Sequence, residues 1–169
     1  MANNVKKTYC FEGDGSLMLN LQELVSLKSL NLPICLFVMN NSGYASIRNT
    51  QKNYFEGRML ASDSDSGLDI PDLFELASAL GIRCEKIKSL KGLKEAFDQT
   101  SELVSPIIFD VQLEENETLM PKVSAIPQKD GSMVSMPLED MSPLLPLKVL
   151  RDEMIIDVNQ RSIDARKAK

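Results

Sequence analysis

Apolar and polar positions along the chain fall into blocks whose period switches between strand-like and helix-like. Lys7-Thr8-Tyr9-Cys10-Phe11 predicts a short strand. Leu17, Leu21, Leu24, Val25 and Leu30 recur at helical spacing with Gln22, Glu23 and Lys28 between them, predicting one amphipathic helix. Pro33 breaks that pattern, and Ile34-Cys35-Leu36-Phe37-Val38-Met39 is continuously apolar, as in a strand buried on both faces. Positions 51–68 are polar and contain glycine, predicting an irregular loop with a short helix at its start. Asp69-Ile70-Pro71-Asp72 opens a further helix, with Pro71 in its first turn and Leu73, Leu76, Ala77 and Leu80 on one face, and Gly81 closes it. A strand over 82–87, a helix over 90–101 and a buried strand over 106–111 follow. This β-α-β-α-β-α-β order predicts an α/β fold, a three-layer α/β/α arrangement with a mostly parallel sheet.

The character changes after Gln112. Positions 114–147 hold five of the eight prolines and show little periodicity, although Gln128-Lys129-Asp130-Gly131-Ser132 predicts a hairpin turn. A short helix is expected over 147–156, with the chain frayed from Asp157. The boundaries drawn from this pattern are a main domain over 1–150 and a C-terminal tail, partly helical or disordered, over 151–169. A chain of 169 residues suffices for one domain with a real core.

Composition narrows the chemistry. The net charge of -5 argues against nucleic acid as a partner, and Arg161, Arg166, Lys167 and Lys169 read as a solvated tail. No apolar run approaches the roughly 18 residues of a membrane helix and no signal-peptide pattern opens the chain, so no membrane role and a cytoplasmic location are expected. Cys10, Cys35 and Cys84 lack metal-ligand spacing and read as buried, reduced thiols. Histidine is absent, which removes the usual zinc ligand, the Ser-His and Cys-His pairs and the commonest general base. Carboxylates, amides, backbone groups or a cofactor must carry any chemistry.

Two loops sit at the carboxyl ends of predicted buried strands, the edge where open parallel sheets bind ligands. They are Glu12-Gly13-Asp14-Gly15-Ser16 and Asn40-Asn41-Ser42-Gly43-Tyr44. Gly13 and Gly15 suit a sharp turn and close ligand approach, and Gly15 and Ser16 are expected to open a helix whose N–H groups face an anion. Asp14 offers a hard carboxylate oxygen, Asn41 an amide oxygen and Gly43 an unobstructed carbonyl. Such oxygens suit magnesium, which takes about six and shares its shell with phosphate and water. Each loop alone is a common turn, and the second Asp-Gly-Ser at 130–132 has neither a buried strand before it nor an Asn-Asn after it. The weight lies in the combination.

That combination, GDG followed by 24 residues from Ser16 to Met39 and then NN, resembles the signature of thiamine-diphosphate-dependent enzymes. The resemblance runs from Cys10 to about Val111 and is greatest to the acetolactate synthase-like and benzoylformate or pyruvate decarboxylase-like group. It implies a thiamine-diphosphate-binding fold, with Asp14, Asn41 and the Gly43 carbonyl holding Mg2+ and with Gly13, Gly15 and Ser16 at the diphosphate. Tyr44 and Ile47 either approach the cofactor or substrate or simply pack at a helix start; Arg48 and Gln51 follow on the same segment. Residues 137–141 resemble part of some acetolactate synthase-like chains, and a structural strap is the expected role.

In that family the cofactor lies between two domains from different chains, and a glutamate on the pyrimidine-binding domain activates it. Nothing in this sequence matches that domain, so no catalytic residue is assigned here. The resemblance also implies a diphosphate domain truncated at its N-terminus and belonging to a larger enzyme. That parent is expected to be a homodimer or homotetramer acting on a small-molecule 2-oxo acid, by decarboxylation, carboligation or both. The chain alone is expected to be inactive. FAD, used by some acetolactate synthases, is not readable from these residues. Two alternatives stand beside this reading, a non-catalytic binding or regulatory homologue and a flavodoxin-like domain with chance motifs.

Overall fold

The computed structural model describes residues 7–117 and 120–167. The polar opening at 1–6 lies outside the described residues. The chain forms two compact units that part between Glu117 and Thr118. This falls ahead of the sequence boundary at 150, because the proline-rich stretch builds a small core of its own.

In the first unit, β1 (Thr8–Gly13), β2 (Ile34–Asn40), β3 (Arg83–Ile87) and β4 (Ile107–Gln112) form one sheet in the order β1-β2-β4-β3. All three pairings are parallel, which confirms the α/β class with a parallel sheet. Between the strands run α1 (Asp14–Leu17), a 3-10 turn at Met18–Asn20, α2 (Glu23–Ser29), α3 (Ala45–Tyr54), α4 (Leu73–Ala79) and α5 (Leu90–Gln99).

The strand pleat divides the core into two layers. Leu36, Val38 and Ile108 pack with Leu17, Leu24, Leu73 and Ala77 on one face. Cys35, Phe37, Ile107, Phe109 and Val111 pack with Ala96 on the other. Right-handed crossovers explain the split, because the connections from β1 to β2 and from β2 to β3 run one way along the sheet and that from β3 to β4 runs back. The rings of Phe37 and Phe109 stack at 4.8 Å and are fully buried. Each such ring contributes about 2–3 kcal/mol by leaving water.

Several expectations change. The single helix over Leu17–Leu30 is broken into α1, a 3-10 turn over Met18–Asn20 and α2, with the backbone still right-handed helical at Leu21 and Gln22 between them. Pro71 precedes the helix rather than entering its first turn, because Asp72 is the N-cap and accepts hydrogen bonds from the Phe74 and Glu75 N–H groups at 2.8 and 3.0 Å. Cys10 is exposed on the terminal strand β1, whereas Cys35 and Cys84 are buried and free.

The second unit contains the hairpin β5 (Ala125–Pro127) and β6 (Met133–Ser135), then α6 (Leu147–Glu153) and α7 (Gln160–Lys167). Ile126, Met136 and Ala165 form its core. The segment expected to fray therefore contains a helix, because Ala165 has a hydrophobic cluster to join. Arg166 is not a solvated cation but pairs with the buried Asp140 and donates to the Leu145 carbonyl at 2.6 Å. Among the described residues no helix is long and apolar enough to cross a membrane.

Candidate functional site

Parallel pairing aligns Gly13 with Met39, and Asn40 with Gln112, so both glycine- and asparagine-containing loops leave the same edge of the sheet. The structure brings them into direct contact. Asp14, only 3% exposed, accepts a hydrogen bond on Oδ2 from the Gly43 N–H at 2.8 Å. The expected pairing of these segments is therefore formed in the fold itself.

The reasons for the glycines differ from those expected. Gly13 is extended, with φ -82° and ψ 151°, and a side chain there would meet nothing closer than the Ser16 Oγ at 3.7 Å. Gly15 lies within α1, and a Cβ on it would stand 2.6 Å from Tyr44 Cδ1. Tyr44 thus packs its ring on the bare backbone of Gly15. Gly43 is the position that requires glycine, with φ +142° and a hypothetical Cβ 2.3 Å from the Ser62 carbonyl oxygen. The helix after the first loop begins at Asp14 and is a single turn, so α1 offers less aligned dipole than a continuous helix over Leu17–Leu30 would.

The second loop is pinned at each residue. Asn40 Nδ2 donates to Asp110 Oδ1 at 2.9 Å, and Asn40 Oδ1 accepts from the Ser42 N–H at 3.1 Å. Tyr44 N–H donates to the Ser62 carbonyl at 2.9 Å. Arg48 is buried, and its guanidinium donates to the carbonyls of Asn41, Ser42, Ser62 and Glu115. Gln51 exchanges two hydrogen bonds with the backbone of Leu60, at 2.9 and 3.2 Å, and holds the following loop rather than facing a ligand. Ile47 is 42% exposed on α3, and Ser16 is exposed beside Asp14.

One atom in this arrangement is left without a partner. Asn41 Oδ1 is buried and accepts no hydrogen bond from the described residues. A buried amide oxygen without a donor costs about 1–3 kcal/mol, and a cation would satisfy it. Together with the buried Asp14 carboxylate, a hard oxygen donor, it fits a magnesium ion with a diphosphate. Among the described residues no cluster of three or more Asp, Glu, Cys or His side chains could hold a metal, so any ion here would need amide, backbone or ligand oxygens as well.

Beside the loop, a cleft of about 350 Å³ is lined by Asn40, Ser42, Asp72, Lys86, Asp110 and Gln112. Lys86 pairs with Asp72 at 2.7 Å. That hydrogen bond lowers the Asp72 carboxyl below its usual range and raises the Lys86 ammonium. Sequence reasoning missed Asp110, Ser62 and the role of Arg48, since no local motif signals a partner that lies 70 residues away, as Asp110 does from Asn40. The second Asp-Gly-Ser is a hairpin turn in which Asp130 caps Ser132, as its context predicted.

Comparison with known proteins shows the family and the fold. Residues 1–111 match the family profile of the thiamine pyrophosphate enzyme C-terminal TPP binding domain. The chain is 33% identical over 115 residues to the acetolactate synthase isozyme 2 large subunit of Escherichia coli K12, covering 68% of this chain and 20% of that protein. It is 30% identical over 115 residues to the acetolactate synthase large subunit of Pyropia yezoensis, covering 68% and 19%. The chain thus spans about one fifth of the length of these curated relatives. A thiamine diphosphate-dependent 4-hydroxybenzoylformate decarboxylase from Rhodococcus jostii RHA1 superposes with a TM-score of 0.57 at 23% identity, covering 67% of this chain and 21% of that one. A benzoylformate decarboxylase from Polynucleobacter necessarius gives 0.60 at 16% identity, covering 68% and 21%; both establish the fold. With residues 1–111 matched, the chain belongs to the thiamine pyrophosphate enzyme family through its C-terminal TPP-binding domain.

Proposed function

We propose that this chain supplies the magnesium and diphosphate side of a thiamine-diphosphate-dependent enzyme of acetolactate synthase type. The observation that carries the reading is the buried, unpartnered Asn41 Oδ1 on a loop that Asp14, the first residue of α1, grips through the Gly43 N–H. Asp14, Asn41 and the Gly43 carbonyl are the proposed magnesium ligands, with Gly13, Gly15 and Ser16 beside the diphosphate and Tyr44 and Ile47 flanking it. Thiamine diphosphate supplies an electron sink for a carbanion when bound. The residues of this chain bind and orient it, and none of them is assigned a proton-transfer step.

The reaction of the whole enzyme is proposed as decarboxylation of a 2-oxo acid with carboligation, in a cytoplasmic homo-oligomer that brings a pyrimidine-binding domain to this one. The two curated sequence relatives named above are acetolactate synthases, and on that ground carboligation is favoured over simple decarboxylation. The chain on its own is expected to turn over no pyruvate with thiamine diphosphate and magnesium. Isothermal titration with thiamine diphosphate should show binding that requires magnesium and disappears in Asp14→Ala and Asn41→Ala. Binding that ignores magnesium, or survives both substitutions, would falsify the site. Turnover by the isolated chain would overturn the assignment of catalysis to another domain.

A further inference from the structure

Arg48 is the best-anchored polar side chain near the site, and its anchoring is unusual. The residue is 8% exposed, yet among the described residues it forms no ion pair with a carboxylate. Its partners are four backbone carbonyls. Nη2 donates to Asn41 at 2.8 Å and Glu115 at 2.7 Å, while Nη1 donates to Ser42 at 3.3 Å and Ser62 at 3.2 Å. Burying a cation without a counter-charge is costly, and carbonyl dipoles offset only part of that cost.

The arrangement joins three separate pieces of backbone: the loop after β2, the Ser62 turn and the segment after β4. It fixes the main chain of Asn41 and Ser42 and leaves the Asn41 side-chain oxygen as the unpartnered group. A Cβ on Gly43 would lie 2.8 Å from Arg48 Nη1, while the Gly43 N–H is held by Asp14. The loop is therefore clamped from both sides, by a carboxylate and by a guanidinium. A planar fork can serve two divergent pairs of carbonyls at once, and a lysine ammonium, with one nitrogen, cannot.

We propose that Arg48 is a positioning residue for the magnesium–diphosphate loop, acting through the geometry of its fork rather than through its charge alone. The inference rests on the reading of that loop given above. Its test is a titration of the full chain with thiamine diphosphate and magnesium up to millimolar concentration, followed by the NMR signals of the Gly43 amide and the Asn41 side-chain amide. Arg48→Lys should keep the sheet signals but weaken binding at least tenfold, Arg48→Met should do the same, and Thr50→Ala, on the exposed side of α3, should leave binding unchanged. If Asp14→Ala abolishes binding while Arg48→Lys binds within twofold of the unaltered chain, the inference alone fails. If the unaltered chain shows no magnesium-dependent shift, the reading of the site fails and the inference with it. Should both Arg48 variants unfold, the cofactor-free, unaltered chain decides. Distinct, slowly exchanging Nη signals support the clamp, and signals averaged by free rotation overturn it.

Discussion

Gly43 has the Ser62 carbonyl and the Arg48 fork on one side and the Asp14 carboxylate on its amide. Gly43→Ala would add both a left-handed-region strain and a backbone collision, since the Ser62 oxygen stands 2.3 Å from the new carbon. We expect a loss of about 2–4 kcal/mol, read as a fall in the midpoint of urea unfolding with an unchanged slope. Gly15→Ala meets a ring instead of backbone, and Tyr44 has room to move only by giving up its packing. Gly15→Ala should cost about 1–3 kcal/mol, an overpacking effect. The loss should shrink markedly when measured in a Tyr44→Ala background, because the two residues share one contact. Additive losses would show that Tyr44 and Gly15 are energetically independent.

Among elements, α4 illustrates how a cap ties stability to pH. Asp72 caps its first turn and also pairs with Lys86 on β3, and both contacts lower its carboxyl pKa. A carboxylate with a depressed folded pKa stabilises the fold above its unfolded value, and this contribution fades as pH falls through the folded value. The melting-temperature difference between the unaltered chain and Lys86→Met should therefore be steady near neutrality and narrow below about pH 4. Asp72→Ala should lose about 1 kcal/mol at pH 7, mainly from the cap. The strands and most helices of the first unit were legible in the sequence, because buried parallel strands such as 34–39 are uniformly apolar and Gly81 marks a helix end. The break over Met18 to Gln22 was not, since the apolar spacing of Leu17, Leu21 and Leu24 runs straight across it. Asp14 and Asn41 were legible as a spaced pair, whereas Arg48 and Asp110 act on backbone or amide groups far along the chain, and no local pattern encodes that.

At the scale of the molecule, the two buried thiols report on opposite layers of the sheet. Cys35 belongs to the layer with Phe37 and Phe109, and Cys84 to the layer with Leu36 and Val38. Burial raises the pKa of both, with Cys84 pushed up to about 11. At pH 8 a disulfide reagent should modify Cys10 at once and the other two only as the unit unfolds. If the first unit opens cooperatively, Cys35 and Cys84 should react at one common rate in dilute urea; separate rates would mean that one layer opens first. The exposure of Cys10 has a further consequence for the protein in concentrated solution. Among the described residues β1 is the outer strand of the sheet, with Tyr9 39% and Phe11 57% exposed. An outer strand with exposed apolar side chains at Tyr9 and Phe11 can bring a neighbouring molecule alongside, and the surface thiol of Cys10 can then lock the pair by oxidation. Light scattering should rise with protein concentration, more steeply without reductant, and Cys10→Lys should suppress both trends by setting a charge on the rim where stacking would begin.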